Sequence, residues 1–275
     1  MSKCSILLLK DNDLPSKNET SSSSADYETI LSELGCRICF IPPLQFDFIN
    51  IDSIVSKIFN PEKYSGIVLT SPRSVVSFCQ AFKRIEKEQD LNIWRENKIC
   101  YTVGPSTALR ASQDLRWSPS NIRGGDECGN AHSLAELIIK DSKKKDLELK
   151  RLLYPCGNLK RETLAEELSK QSNIQLDPIT CYETSPNKDL DSNFDKLSKH
   201  SFRIDIVVFF SPSGVKSCWE RLHKDITNPL RYIAIGPTTF ESLKSYCSDD
   251  GRIFQSKSPN PSGIRDVVSQ IIENL

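Results

Sequence analysis

Short apolar runs alternate along this chain with stretches whose apolar positions fall every third or fourth residue. The runs Ser5–Leu9, Arg37–Pro42, Gly66–Thr70, Lys98–Val103, Arg151–Tyr154, Ile174–Glu183, Asp205–Phe210 and Tyr232–Ile235 have the length and continuity of strands covered on both faces. Between them lie helical combs. Tyr27, Ile30, Leu31 and Leu34 share one helix face, and Gly35 follows as a C-cap. Leu134, Leu137 and Ile138 mark a helix after Asn130, Leu164 and Leu168 one after Asn158, and Ile264 to Ile272 the last. Strand–helix alternation of this kind predicts an α/β protein built on parallel sheets.

The pattern also repeats. Val68-Leu69-Thr70-Ser71-Pro72, with apolar positions at Val75, Phe78, Cys79 and Phe82, returns 140 positions on as Phe209-Phe210-Ser211-Pro212, with Val215, Cys218, Trp219 and Leu222. Val103-Gly104-Pro105-Ser106-Thr107 returns as Ile235-Gly236-Pro237-Thr238-Thr239, 132 positions on. The segment from Ile6 through Pro42 corresponds in the same way to Arg151 through Pro178. Each module therefore reads as about five βα steps, the doubly wound, flavodoxin-like pattern.

Both repeated phrases sit where a strand hands over to a helix. Ser71 and Ser211 suit the N-cap, and Pro72 and Pro212 the first helical position, where a missing N–H costs nothing. In Gly104-Pro105-Ser106-Thr107 and its copy, glycine allows a tight turn, proline opens the helix and two hydroxyls follow. Free first-turn amides with adjacent hydroxyls form a neutral cradle for carboxylate or phosphate. The same residues serve plain capping, and the two roles are compatible. Ala108 in the fifth position disfavours a serine-nucleophile elbow. Lys160-Arg161 stands beside another such junction, available to an anion or to solvent. Asp11-Asn12-Asp13 begins like a calcium loop but lacks the glycine and glutamate that should follow.

Composition removes several classes. Formal net charge is +0 with 38% hydrophobic and 26% charged residues, so a basic footprint for nucleic acid is missing. The Ile6–Leu9 run is too short for a signal peptide or membrane span, which makes the cytoplasm the expected compartment. Ten cysteines lie mostly in apolar stretches and read as free, packed thiols; Cys36-x-x-Cys39 falls inside a strand-like run, and three scattered histidines offer little to a metal. Ser16–Ser24 reads as a flexible insertion, and the lysine-rich Asp141–Arg151 as a solvated turn. No nucleotide or metal fingerprint is present, so no cofactor is expected.

Six phrases in order resemble the uroporphyrinogen-III synthase family, in the form of its animal branch. They are Leu69-Thr70-Ser71-Pro72-Arg73, Cys128-Gly129-Asn130-Ala131, Pro155-Cys156-Gly157-Asn158-Leu159-Lys160-Arg161-Glu162, Tyr182-Glu183-Thr184, Phe209-Phe210-Ser211-Pro212-Ser213-Gly214 and Ala234-Ile235-Gly236-Pro237-Thr238-Thr239. The resemblance implies two flavodoxin-like parallel-sheet domains joined by a two-stranded connection, with the active site in the interdomain cleft. It implies a crossed chain: residues 1–40 with 184–275 as one domain, 52–170 as the other, and connecting strands at 41–51 and 171–183. The implied enzyme is a cofactor-free monomer acting on hydroxymethylbilane in haem biosynthesis, free of membrane and nucleic acid, and open to transient contact with neighbouring enzymes of the pathway. The motifs carry Tyr182 as the expected catalytic group. With their first-turn amides, Thr70, Ser71, Arg73, Thr107, Ser211, Ser213, Thr238 and Thr239 are the expected contacts for the substrate's carboxylate arms. A non-catalytic two-lobed binder of small anions is the alternative that the same corners would serve.

Overall fold

The computed structural model describes residues 4–10, 24–144, 147–159, 162–199, 203–226 and 229–273. The serine-rich insertion up to Ser23, the Asp11–Asp13 turn and the pair Lys160-Arg161 lie outside the described residues. The first half of the chain forms β1 (Ser5–Leu9), α1 (Ser24–Ser32), β2 (Arg37–Phe40), β3 (Leu44–Phe48), α2 (Ile51–Ile58), β4 (Gly66–Leu69), α3 (Pro72–Phe82), α4 (Glu88–Asn97), β5 (Ile99–Val103), α5 (Pro105–Asp114) and β6 (Ile122–Gly125). The second half forms α6 (Ala131–Ser142), β7 (Arg151–Gly157), α7 (Thr163–Gln171), β8 (Gln175–Pro186), α8 (Leu190–Lys199), β9 (Ile206–Phe209), α9 (Pro212–Asp225), β10 (Arg231–Ala234), α10 (Pro237–Tyr246), β11 (Ile253–Gln255) and α11 (Pro261–Glu273). The chain divides into two compact units, Met1–Gln45 with Ser185–Leu275, and Phe46–Thr184.

In the first unit the strands lie in the order β2-β1-β9-β10-β11, every pair parallel. Side-chain alternation sends Leu7, Leu9, Val207 and Phe209 to one face, where Leu190, Phe194, Val215, Leu222 and Leu243 from α8, α9 and α10 cover them. Ile6, Leu8, Ile206 and Val208 face the other way, under Tyr27 and Leu31 of α1 and Ile264, Val268 and Ile271 of α11. Two apolar faces per strand explain why β1 and β9 are apolar without interruption. Gly35, at φ 78, closes the turn after α1, and its N–H reaches the Ser32 carbonyl at 2.9 Å.

The second unit repeats this plan with β3 added at one edge: β3-β8-β7-β4-β5-β6. Its β7 and β8 stand where β1 and β2 stand in the first unit, and β4, β5 and β6 match β9, β10 and β11. Both five-strand cores thus have the order 2-1-3-4-5 of doubly wound folds, the second with its chain permuted. One face is closed by an aromatic cluster, with the Trp94–Trp117 ring centroids 6.2 Å apart and Phe78–Trp94 at 5.9 Å. Both indoles donate to carbonyls, Trp94 Nε1 to Ile58 O at 2.9 Å and Trp117 Nε1 to Lys98 O at 2.8 Å, so burial leaves neither N–H unsatisfied.

Three strands and three helices escaped the pattern. β6 is Ile122-Arg123-Gly124-Gly125 and β11 has three residues, so neither shows a usable period. The helical combs did not mark α2, α4 or α8, and β3 lies within the connecting strand at 41–51 that the resemblance implies; α4 buries Leu91, Trp94 and Arg95 on an otherwise largely polar helix. The solvated-turn reading is corrected at Asp141, which is fully buried. Its carboxylate accepts from Tyr101 Oη at 3.0 Å and Arg123 Nη1 at 2.6 Å, and pairs with Lys144 Nζ at 2.7 Å. Burial opposes ionisation of this carboxyl, but these three donors outweigh it and hold the group below the usual carboxylate range. No described helix is long and apolar enough to cross a membrane.

Candidate functional site

In a 2-1-3-4-5 sheet, ligands gather outside the carboxyl ends of the strands where the order reverses. In the second unit that point lies between β7 and β4. There β4 ends and Ser71, in extended conformation, caps α3: its Oγ accepts from Ser74 N–H at 3.2 Å, and Pro72 fills the first helical position. The same oxygen lies 3.1 Å from the hydroxyl of Tyr182, which stands on β8. Thr70, one residue earlier, hydrogen-bonds the buried Tyr154 of β7. A cavity of about 240 Å³ opens among Thr70, Ser71, Val103, Ala131, Tyr154, Gly157, Leu159, Tyr182 and Thr184.

Hydroxyls and apolar surface line this cavity; none of its side chains carries a formal charge at neutral pH. A cation stands near it, however. Arg73 is half-buried in the first turn of α3, with its guanidinium carbon 3.4 Å from the centre of the Phe46 ring. Burial pushes the Tyr182 hydroxyl above the ordinary phenol range, and the Ser71 bond and the Arg73 charge draw it part of the way back. Tyr154 is raised chiefly by burial as well, against the bond to Thr70. Both phenols are therefore neutral at physiological pH.

The structure brings together four of the expected residues, Thr70, Ser71, Arg73 and Tyr182. It places Thr107 differently: that side chain is closed to solvent, and the exposed hydroxyl of its corner belongs to Ser106. The first unit behaves alike. Thr239 is buried while Thr238 is exposed. A helical first turn has an inner side, and the second hydroxyl of each pair falls on it. The two glycines also differ: Gly104 needs its freedom at φ 76, whereas Gly236 is extended at φ −170, a conformation open to any residue. At β9, Ser211 caps α9 by accepting from Gly214 N–H at 3.0 Å, and Ser213 is exposed in the first turn.

Sequence reasoning gave no role to Tyr154, Gly157 or Thr184, although Gly157 and Thr184 stand in two of the six phrases. Tyr154 looked like one more apolar strand position. Thr184 sits in a stretch of β8 that extends three residues past the expected strand end. Only the pairing of β7 with both β4 and β8 brings these residues beside Ser71.

Comparison with known proteins agrees with the sequence resemblance. The family model for uroporphyrinogen-III synthase HemD matches residues 25–263. Uroporphyrinogen-III synthase of Saccharomyces cerevisiae is 29% identical over 94% of this chain and 92% of its own. Among solved structures, uroporphyrinogen-III synthetase of Helicobacter pylori superposes with a TM-score of 0.62 at 16% identity, covering 98% of this chain and 99% of the other. A mutant uroporphyrinogen III synthase of Thermus thermophilus gives 0.57 at 13% identity, with the same coverage. At such identities the structures establish the shared fold, and the family match over most of the length establishes descent. The chain belongs to the uroporphyrinogen-III synthase family.

Proposed function

We propose that this protein is a uroporphyrinogen-III synthase, a cyclising lyase that converts hydroxymethylbilane to uroporphyrinogen III with loss of one water. The substrate is an open chain of four pyrroles bearing acetate and propionate arms. Loss of its hydroxyl leaves an electrophilic azafulvene, which the substituted α-carbon of ring D attacks to form a spiro intermediate; rearrangement then inverts that ring. Unaided closure gives the type I isomer, so the catalyst's task is to favour one geometry over another.

The observation that carries this reading is the Ser71–Tyr182 hydroxyl pair at the mouth of an uncharged, partly apolar cavity. A neutral Tyr182 O–H, with its acidity lowered by burial, suits donation to the departing hydroxyl better than outright proton release. Thr70, Ser71, Arg73, Ser211, Ser213 and Thr238 are the proposed contacts for the carboxylate arms, through hydroxyls, first-turn amides and one guanidinium. Thr107 and Thr239 are buried behind Ser106 and Thr238 and stand outside the proposed contacts. The same reading proposes residues 1–40 with 184–275 and 52–170 as the functional domains, and the cytoplasm as the compartment.

The test is to supply hydroxymethylbilane and resolve the oxidised products by chromatography. Type III product in excess of the buffer control supports the proposal. Type I product at the buffer rate, with bilane bound, would return the small-anion binder instead.

A further inference from the structure

The β7–β8 ladder runs in regular parallel register from Arg151↔Gln175 to Cys156↔Thr180, and then skips: Gly157 pairs with Tyr182, and Cys181 is left over as a bulge. A bulge re-aims the residue beside it. This one is locked, because the Cys181 carbonyl accepts from the buried Ser77 hydroxyl at 3.1 Å and from Ile49 N–H at 3.0 Å. The Tyr182 ring is thereby laid over the last residue of β7. A Cβ built on Gly157 would stand 2.7 Å from Cε2 and from Cζ of that ring and 2.8 Å from its Oη. Real side chains do not tolerate such approaches. Gly157 is also not among the glycines with positive φ, so its backbone does not require glycine; the ring does.

The next residue fastens the chain on either side. Asn158 N–H donates to the Tyr182 carbonyl at 3.1 Å. Its side-chain Oδ1 accepts from Thr184 N–H at 2.9 Å, and its Nδ2 donates to the Thr184 carbonyl at 3.4 Å. The Asn158 amide thus substitutes for a strand residue after β7 has ended.

We propose that Gly157 and Asn158 are positioning residues for the reaction. Gly157 supplies the slot in which the Tyr182 ring lies with its hydroxyl toward Ser71, and Asn158 fixes the backbone that carries the ring. The inference rests on the reading of Tyr182 as the hydrogen-bond donor to the leaving hydroxyl.

The test uses the full chain labelled with 3-fluorotyrosine, the Tyr182 ¹⁹F resonance being assigned by its loss in Tyr182→Phe. Gly157→Ala is expected to shift that resonance without moving the other tyrosines. It should lower kcat for type III formation toward the Tyr182→Phe level, a loss of about 100-fold for one transition-state donor, with KM little changed. The double variant Gly157→Ala/Tyr182→Phe should lose no more than Tyr182→Phe alone. An unshifted resonance with full kcat overturns the proposal, and so does a double variant at least tenfold worse than Tyr182→Phe. A shifted resonance alongside an unimpaired Tyr182→Phe upholds the slot and removes Tyr182 from the chemistry. Should Gly157→Ala not fold, Asn158→Ala carries the test: it leaves the slot open and is expected to broaden the Tyr182 resonance and lower kcat, whereas an unchanged line and rate refute the proposal.

Discussion

The internal repeat supplies a matched pair of substitutions, Ser71→Ala and Ser211→Ala. Each serine caps its helix through one first-turn N–H, at 3.2 Å from Ser74 and 3.0 Å from Gly214. Losing either cap costs about 1 kcal/mol of stability. Ser71 has a second bond, Oγ to the Tyr182 hydroxyl at 3.1 Å, for which Ser211 has no counterpart among the described residues. In the first unit, Pro43, which has no hydroxyl, packs beside Gly214 in the first turn of α9. One such hydrogen bond is worth about 1 kcal/mol net, or roughly a fivefold loss in the population of the correctly held phenol. Ser71→Ala is thus expected to lower kcat about fivefold, well short of complete loss of the donor, because the slot over Gly157 still holds the ring. Ser211→Ala should keep kcat and raise KM instead. Steady-state formation of type III product, read beside a urea unfolding midpoint, separates the two effects. Equal kcat values in the two variants, with equal loss of stability, would refute the reasoning.

Three further outcomes follow from the same geometry. Tyr182→Phe should lower kcat about 100-fold with KM retained, and its product should drift toward the type I isomer as unaided closure competes. Asp141→Ala leaves the Tyr101 hydroxyl buried without its acceptor and two part-exposed cations without a partner, an expected loss of about 2 to 4 kcal/mol; Trp219→Phe as background lets the fluorescence of Trp94 and Trp117 report the second unit alone. The folded-state pKa of Asp141 is depressed, so its contribution is fully present above the ordinary carboxylate value of about 4 and is lost as pH falls below it; in Asp141→Ala the acid limb of the stability profile should flatten. Thiol labelling of the native protein should begin at Cys247, Cys39 and Cys79, which are part-exposed, and reach the buried Cys100 and Cys181 only on unfolding; burial lifts the Cys181 thiol to about 12.

Local physics wrote much of this protein into its sequence. Continuous apolar runs such as Ile6–Leu9 announce strands covered on both faces, and Ser71-Pro72 and Ser211-Pro212 announce helix starts, because capping and burial act on neighbours along the chain. The repeat announced two similar sheets for the same reason. Other features depended on which strands lie side by side. The permuted order of the second sheet, the bulge at Cys181 and the meeting of Ser71, Gly157 and Tyr182 all arise from pairing between distant segments, which leaves no periodic trace in any one of them. Asp141 read as surface because its neighbours are lysines; Tyr101 of β5 and Arg123 of β6 make the burial of this helix residue tolerable. Composition and spacing could say which hydroxyls stand at helix starts. Only the packing of those helices on the sheet decided that Ser106 and Thr238 face outward while Thr107 and Thr239 are sealed beneath them.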